Sequence, residues 1–159
     1  MDEEDRCVND VAVKVTGRIL CDGAFVFVDP LDPSMRPAIA EWDARGVGLT
    51  FSGHDQGALS VWAGDSFMVQ VAANMLGIDE KSKRAYDEGC DAVGEILNMI
   101  AGNLLTAMYG TEPVFDLGLP RRLAKEQLSD EIEQRDCVWF EAEGEPVLFT
   151  FMLSKTENA

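Results

Sequence analysis

The chain contains 159 residues, of which 47% are hydrophobic, and its formal net charge is −16. This length and composition are typical of one globular domain that buries a core of its own. A chain this acidic lacks the basic surface on which binding to nucleic acids or to anionic membranes depends, so neither partner is expected. A protein partner or a small molecule remains compatible with the charge.

The acidic start of the sequence and the spacing of its cysteines both favour a reduced, cytoplasmic environment. The acidic start Met1-Asp-Glu-Glu-Asp5 is the opposite of a basic secretory signal, and no apolar run reaches the length of a membrane-spanning helix. The cysteines form no Cys-x-x-Cys pair and no metal-binding spacing; they are Cys7, Cys21, Cys90 and Cys137. We therefore expect free thiols and a cytoplasmic location.

The N-terminal segment is predicted to contain one regular element followed by a loop. Residues 1–6 are acidic and are expected to form a disordered tail. From Val8 to a stop at Gly23, apolar spacing fits a helix. The same stretch also alternates as a strand does, at Val11, Val13 and Val15. Residues 29–33 contain two prolines and are predicted to be a loop.

A hairpin and a helix are predicted in the next part of the chain. Residues 47–52 and 58–63 have strand patterns and are separated by the turn-rich residues 53–57. Asp65 or Ser66 is predicted to cap the following helix. The helix buries a face formed by Phe67, Met68, Val71, Ala72, Met75 and Leu76. Gly77 ends this helix, and residues 79–84 form a charged link.

The stretch around residues 91–108 is predicted to be a long amphipathic helix. Its apolar stripe consists of Val93, Leu97, Ile100, Ala101, Leu104, Leu105 and Met108. Asp91, Glu95 and Asn98 are four and three residues apart and therefore share another face. Gly94 and Gly102 weaken a helix, which indicates a packing or docking reason for their presence.

The C-terminal part is predicted to return to strands. Residues 114–119 form a strand that ends at Pro120, and the charged residues 121–135 are predicted to be a mobile excursion. Residues 137–142 and 146–154 alternate well and form a hairpin through Glu143-Gly144-Glu145. The predicted fold class is α+β, with two long helices packed against a mainly antiparallel sheet in one domain that spans residues 1–159.

Motifs for self-contained catalysis are missing from the sequence. It has neither of the glycine-rich phosphate-binding motifs G-x-x-x-x-G-K-[ST] and G-x-G-x-x-G. Its one histidine, His54, lies in a turn without a nucleophile beside it. No cluster of metal ligands is evident. An acid and an amide on one helix face can nevertheless act if a partner supplies the remaining groups.

The run Asp91-x3-Glu95-x2-Asn98, followed by Pro120 in Leu117-Gly-Leu-Pro120, resembles the signature of the CheC/CheX/FliY chemotaxis phosphatases. The continuation Asn98-Met-Ile-Ala-Gly102-Asn is similar to the CheX branch. CheC-like members carry two such signatures and this chain carries one, which also favours CheX. The resemblance covers about residues 47–120, and it favours an additional N-terminal helix over a strand.

The resemblance implies a substrate and roles for five residues. The substrate is the phospho-aspartate of a CheY-type response regulator, which supplies Mg²⁺ and a lysine, so the chain needs no cofactor of its own. Asn98 positions the attacking water, and Glu95 pairs with the partner's lysine. Asp91, Gly94 and Gly102 are predicted to contact the partner, although helix–sheet packing explains the two glycines equally well.

Two other features follow from the resemblance. CheX-like proteins pair through their sheets, so a homodimer is expected, with the C-terminal hairpin as the pairing edge. The fold is also shared with non-catalytic flagellar-switch modules, so the alternative function is a binding or scaffold module. A third option is a dimeric structural protein of unknown partner. Without the resemblance, the polar helix face is explained as an ordinary solvated surface.

Overall fold

The computed structural model describes the backbone of residues 3–155 and the side chains of residues 8–154. In this part of the chain, three long helices pack on one face of a seven-stranded sheet. All described strand pairs are antiparallel, which confirms the predicted α+β class with a mainly antiparallel sheet. The elements in chain order are α1 (Glu3–Ala24), β1 (Asp29–Pro30), a 3-10 turn (Pro33–Met35), β2 (Arg45–Gly53), β3 (Asp55–Ala63), α2 (Asp65–Leu76), α3 (Lys83–Asp87), α4 (Gly89–Tyr109), β4 (Phe115–Leu117), β5 (Arg121–Leu123), α5 (Gln127–Gln134), β6 (Asp136–Ala142) and β7 (Glu145–Lys155).

The sheet is ordered β1-β6-β7-β3-β2-β4, and β5 pairs with β2 next to β4. Leu59 at its centre pairs with Leu49 on one side and Phe151 on the other. All three side chains are buried in the core under α1, α2 and α4. Because α4 is apolar along its inner face, it lies across this core and turns its polar residues outward.

The opposite face of the sheet carries a second, smaller core. It contains three tryptophans, and the rings of Trp42 and Trp139 lie 5.3 Å apart. The buried members of this cluster are Leu31, Trp42, Ala44, Trp62, Leu128, Trp139 and Leu148. The sheet is therefore covered on both faces over much of its area.

The prediction that residues 121–135 form a mobile excursion is wrong. The segment contains β5 and α5, and Leu128 of α5 is fully buried against the second core. The ammonium group of Lys125 also donates a hydrogen bond to the carbonyl oxygen of Trp42. The sequence did not reveal this anchoring because one of the buried positions is occupied by an acid, Glu131, instead of an apolar residue.

Glu131 accepts hydrogen bonds from four side chains, three of them on the sheet and one at the end of α5, although only 6% of it is exposed. The donors reach its Oε1 atom from Ser60 at 2.5 Å, Trp62 at 3.1 Å, Thr150 at 3.3 Å and Arg135 at 3.3 Å. A buried carboxylate is tolerated when it is paired and hydrogen-bonded in this way. The network fastens α5 to strands β3 and β7.

Glu131→Ala is expected to lower the free energy of unfolding by about 3 kcal/mol, because it leaves several buried donors without an acceptor. Urea denaturation followed by circular dichroism measures this change. Glu133→Ala, an exposed position on the same helix, is the matched control and is expected to have little effect. Equal stability of the two variants would contradict the structural role given to Glu131.

The N-terminal boundaries differ from those predicted. Helix α1 begins at Glu3 rather than at Val8, while residues 1 and 2 of the predicted acidic tail lie outside the described residues. Within the predicted loop 29–33, residues 29 and 30 pair with β6, and Pro33 starts a short 3-10 turn. A two-residue strand that contains proline is possible because it lies at the edge of the sheet.

The boundaries around α2 also differ. The turn predicted over residues 53–57 is much shorter, since only His54 separates β2 from β3. Gly64, rather than Asp65 or Ser66, occupies the N-cap position of α2, and no side chain caps the helix there. Asp65 instead makes an ion pair with Arg45 at 2.7 Å. Gly77 ends the helix in the left-handed conformation, as predicted, with φ of 66°.

Tyr109 fastens the C-terminal end of α4 to the β2–β3 hairpin. Its hydroxyl donates a hydrogen bond of 2.6 Å to Oδ2 of Asp55, a buried residue. Burial, followed by the hydrogen bond to Asp55 and the charge of that carboxylate, raises the pKa of Tyr109 to about 12. The end of α4 is therefore held by a strong, charge-assisted contact.

The raised pKa predicts a loss of stability at high pH. An unfolded tyrosine ionises near 10, before the folded one, so the contribution of Tyr109 is complete below pH 10 and declines as the pH rises to about 12. In Tyr86→Phe, Tyr109 is the only tyrosine left, and its absorbance at high pH is expected to titrate near 12 while circular dichroism confirms the fold. A midpoint near 10 in folded protein would contradict the contact.

The described part of the chain contains no helix long and apolar enough to cross a membrane. The three cysteines that the structure describes, Cys21, Cys90 and Cys137, are free thiols. The pKa of Cys137 is raised, first by burial and then by the negative charge of Asp136. A raised pKa keeps this thiol protonated and unreactive near neutral pH.

Candidate functional site

Asp91, Glu95 and Asn98 lie together on the exposed side of α4, as their spacing predicts. The opposite side of the helix is fully buried and includes Ile96 and Leu97. Because the buried side fixes the rotation of α4 on the sheet, the three polar residues project away from the core. All three are exposed, so no other residue that the structure describes covers them.

A groove of about 420 Å³ runs along this polar face. One side is α4, which contributes Cys90, Asp91, Gly94, Glu95 and Asn98. The other side is the segment from Leu117 to Arg122, called the wall segment below, and Val47 of β2 contributes to the lining. The groove is open to solvent, so a partner has access to the acid and the amide.

The wall segment is held in place at two points. The backbone N–H of Gly118 donates a hydrogen bond of 2.7 Å to the carbonyl oxygen of Thr50. A Cβ atom at Gly118 would lie only 3.0 Å from the same oxygen, so a side chain there would force the segment away from β2. Pro120, on the other side, packs against α4. The segment is thus fixed between a strand and a helix.

Gly94 is the point at which Pro120 contacts α4. A Cβ atom at position 94 would lie 2.9 Å from Cβ of Pro120 and 3.6 Å from Cγ1 of Val47. The glycine is buried, so it allows close packing inside this chain. Packing within the chain therefore explains the glycine at position 94, which is one of the two explanations considered from the sequence.

Gly102 has a different environment. A Cβ atom there would meet no atom within 4 Å. The position lies about one turn beyond Asn98 on α4 and is partly exposed. Packing within this chain therefore does not explain why a glycine occurs at this point in the helix.

The side chains of Asp91, Glu95 and Asn98 make no hydrogen bond or ion pair with any other described residue. Asn103, by contrast, donates to the carbonyl oxygen of Met99 at 2.8 Å and accepts from Arg18 of α1 at 3.3 Å. The outer face of α4 therefore has a tethered part beside α1 and an unpaired part at the groove. Unpaired polar groups on a rigid helix can bind a partner without first breaking internal bonds.

The site offers an amide, carboxylates and one guanidinium group, that of Arg122, without a nucleophile paired to a base. An amide can accept from and donate to a water molecule at the same time. A carboxylate can bind an incoming ammonium group. No group of three histidine, cysteine, aspartate or glutamate side chains within the described ranges is arranged to hold a metal ion.

The contribution of Leu119 and Arg122 to the groove was not predicted from the sequence. The residues after Pro120 were predicted to be an excursion away from the domain. The available signal was that Arg122 lies two residues after Pro120, whereas the direction of its side chain depends on the pairing of β5 with β2.

Comparison with known proteins gives one family and one fold. A family model described as "Chemotaxis phosphatase CheX" matches residues 46–143, which include α4 and the wall segment. No curated protein sequence gives a significant match.

Solved structures share the fold. A CheX protein from Desulfovibrio desulfuricans has a TM-score of 0.66 at 19% identity, with 92% of this chain and 99% of that chain covered. The CheX–CheY–BeF3–Mg²⁺ complex from Borrelia burgdorferi gives 0.67 at 16% identity, with 91% and 96% covered. FliY from Thermotoga maritima gives 0.58 at 15% identity, with 99% and 92% covered.

Proposed function

The chain belongs to the CheX family of chemotaxis phosphatases, and from this premise we propose that it hydrolyses the aspartyl phosphate of a CheY-type response regulator. The observation that carries the proposal is the unpaired Glu95 and Asn98, side by side on an open groove. A similar fold occurs in a CheX bound to CheY with BeF3 and Mg²⁺. The proposal also places the protein in the cytoplasm, where response regulators act.

Asn98 is the proposed catalytic residue. Phosphoryl transfer passes through a loose transition state, so the main task of a phosphatase here is to place a water molecule in line with the phosphorus. The amide oxygen of Asn98 accepts a hydrogen bond from this water, and its NH₂ group donates to a neighbouring acceptor. Because α4 is fixed on the core, the backbone that carries Asn98 is held in place, which lowers the entropic cost of alignment.

Glu95 is proposed to act by pairing with the regulator's lysine. It lies one turn before Asn98 on α4, so one insertion of the helix brings both side chains into the partner's site. An ion pair at this point fixes the register of α4 and hence the position of the amide. Magnesium in this proposal belongs to the regulator, where it neutralises charge on the transferred phosphoryl group.

Asp91, Gly94 and Gly102 are proposed to serve docking rather than chemistry. Asp91 lies one turn before Glu95 on the same face and can hydrogen-bond to the partner. Gly102 leaves an uncovered stretch of α4 where a partner's backbone can approach closely. Gly94 contributes indirectly, because it lets Pro120 pack on α4 and so sets the width of the groove.

A homodimer remains part of the proposal, with its pairing edge at β6. Strand β7 of the C-terminal hairpin is paired on both sides, by β3 and β6, and so is not a free edge. The outer edge of β6 is paired with β1 at Phe140 and Glu141, and no described strand pairs with residues 136–138 on that side. This short edge is where a second sheet can add by strand pairing.

The alternative is a binding or scaffold module that shares the fold. The similarity to FliY shows that the fold is not restricted to proteins described as CheX. The unpaired Glu95 and Asn98 favour catalysis, because a scaffold needs an exposed surface but no acid and amide held one turn apart.

The decisive experiment mixes a small amount of the protein with a phosphorylated receiver domain of the same organism. We expect each molecule of the protein to accelerate the loss of phosphate from many molecules of receiver in the presence of Mg²⁺. Tight binding without any change in phosphate half-life would favour the scaffold alternative and contradict the proposed function.

A further inference from the structure

The wall segment presents one strongly exposed apolar side chain beside the groove. Leu119 is 90% exposed, although the residues on either side of it are anchored. Gly118 is bonded to Thr50 of β2, and Pro120 packs against Gly94 of α4. Leu119 therefore projects into solvent from a backbone that is held at both ends, which is how an apolar anchor for a partner is preorganised.

Arg122 faces the groove because of the register of β5. It pairs directly with Val47, whose side chain belongs to the core under α4, and directly opposed residues of antiparallel strands project to the same face. Arg121 pairs with Gly48 and therefore projects to the opposite face, towards Gln127 of α5. The side chain of Arg122 makes no hydrogen bond or ion pair with another residue that the structure describes.

The charge of Arg122 opposes that of its surroundings. The chain carries 29 acidic and 13 basic residues, and two carboxylates, Asp91 and Glu95, line the other side of the groove. An anionic partner would be repelled by this surface as a whole. A guanidinium group across the groove offers it a local attraction and gives its approach a direction.

We infer that Leu119 and Arg122 form the second half of the docking site, with Leu119 as an apolar anchor and Arg122 as a cationic contact for an anionic oxygen on the phosphorylated receiver domain. The inference rests on the proposed function for the identity of the partner. It adds a contact surface outside α4, on the opposite side of the groove from Glu95 and Asn98. The partner is thus held between a helix and the wall segment.

Equilibrium binding to a receiver domain loaded with beryllium fluoride and Mg²⁺ tests the inference. Leu119→Ala is expected to raise Kd about 10-fold at any salt concentration, because it removes an apolar anchor. Arg122→Ala is expected to raise Kd about 5-fold at low salt and less than about 2-fold at high salt, because exposed charges are screened.

The chain supplies a matched control for each variant. Val114 is an apolar residue that is 80% exposed and lies outside the groove, so Val114→Ala controls for Leu119→Ala. Arg121→Ala removes the same charge from the adjacent position on the other face of β5. Both controls are expected to change Kd by less than about 2-fold.

A comparison with the unloaded receiver domain identifies the oxygen that Arg122 contacts. If Arg122→Ala raises Kd only for the loaded domain, Arg122 contacts an oxygen at the phosphoryl position. If it raises Kd equally for both forms, Arg122 contacts a carboxylate of the receiver. Either result supports the inference.

Failure of the inference is distinct from failure of the proposed function. If the wild type removes phosphate while Leu119→Ala and Arg122→Ala bind as well as their controls, the docking inference alone is overturned. If both variants weaken binding while the wild type does not accelerate phosphate loss, the docking site stands and catalysis is refuted. A wild-type protein that does not bind the loaded domain overturns the inference.

Discussion

Asn98→Ala is expected to lower the rate of phosphate loss from the bound regulator about 100-fold, because misplacement of the attacking water alone can cost this much. The residue is exposed and has no partner among the described side chains, so its removal breaks no internal contact. Alanine is also a better helix former than asparagine, so α4 is expected to be slightly more stable in the variant. Single-turnover phosphate release with saturating protein measures the effect.

Two further variants sharpen the test of Asn98. Asn98→Asp keeps the size of the side chain but replaces the NH₂ donor with a negative charge next to the phosphoryl group, so its rate is expected to be equally low. Asn103→Ala is the control, because Asn103 is an exposed asparagine on the same helix that bonds to Arg18 instead of lining the groove. A rate for Asn98→Ala equal to that of Asn103→Ala would remove Asn98 from the mechanism.

Glu95→Ala is expected to lower kcat/KM about 30-fold, which corresponds to about 2 kcal/mol for a charge pair that is shielded from solvent in the complex. KM is expected to rise and kcat to fall, because the same ion pair binds the regulator and sets the position of Asn98. Steady-state kinetics over a range of regulator concentrations separates the two contributions.

Comparison with Glu95→Gln and Asp91→Ala locates the effect in the charge at position 95. Glutamine keeps the length of the side chain but cannot form the ion pair, so Glu95→Gln is expected to lower kcat/KM as much as Glu95→Ala does. Asp91 is one turn further from Asn98, and its removal is expected to cost less than about 5-fold. An active Glu95→Gln together with an inactive Asp91→Ala would reverse the assignment of roles.

The long helix and the central strands were predictable because their residues follow simple periodicities. In α4 the predicted buried positions Val93, Leu97 and Ile100 lie in the core, and the polar face is exposed. Apolar residues alternate in β2 and β7, and the predicted ranges of β2, β3, β6 and β7 lie within the observed ones. In these elements the local pattern and the tertiary environment agree.

Helix α5 was not predicted because only part of its inward face is apolar: Leu128 and Ile132 pack against the second core, and the buried Glu131 lies between them. Leu128 is buried in the usual way, but the next inward residue is Glu131, a charged residue that sequence reasoning places on the surface. Its burial depends on Ser60, Trp62 and Thr150, which are remote in sequence and come together only in the folded sheet. A pattern within the segment carries no record of those partners.

The candidate site was predictable on one side only. Glu95 and Asn98 are close in sequence and on one helix, so their spacing alone predicts a shared face. The wall segment begins at Leu117, 19 residues after Asn98, and the direction of Arg122 depends on its pairing with Val47. A shift of one residue in that register would point Arg121 at the groove instead.

A structure of the protein bound to a receiver domain that carries beryllium fluoride and Mg²⁺ would show whether α4 places Asn98 at the phosphoryl group. We expect the amide of Asn98 within about 3 Å of a water molecule, or of the space for one, opposite the aspartate–beryllium bond. We also expect the carboxylate of Glu95 to contact an ammonium group of the receiver. A complex in which the face of α4 bearing Asn98 is turned away from the beryllium fluoride would contradict the account.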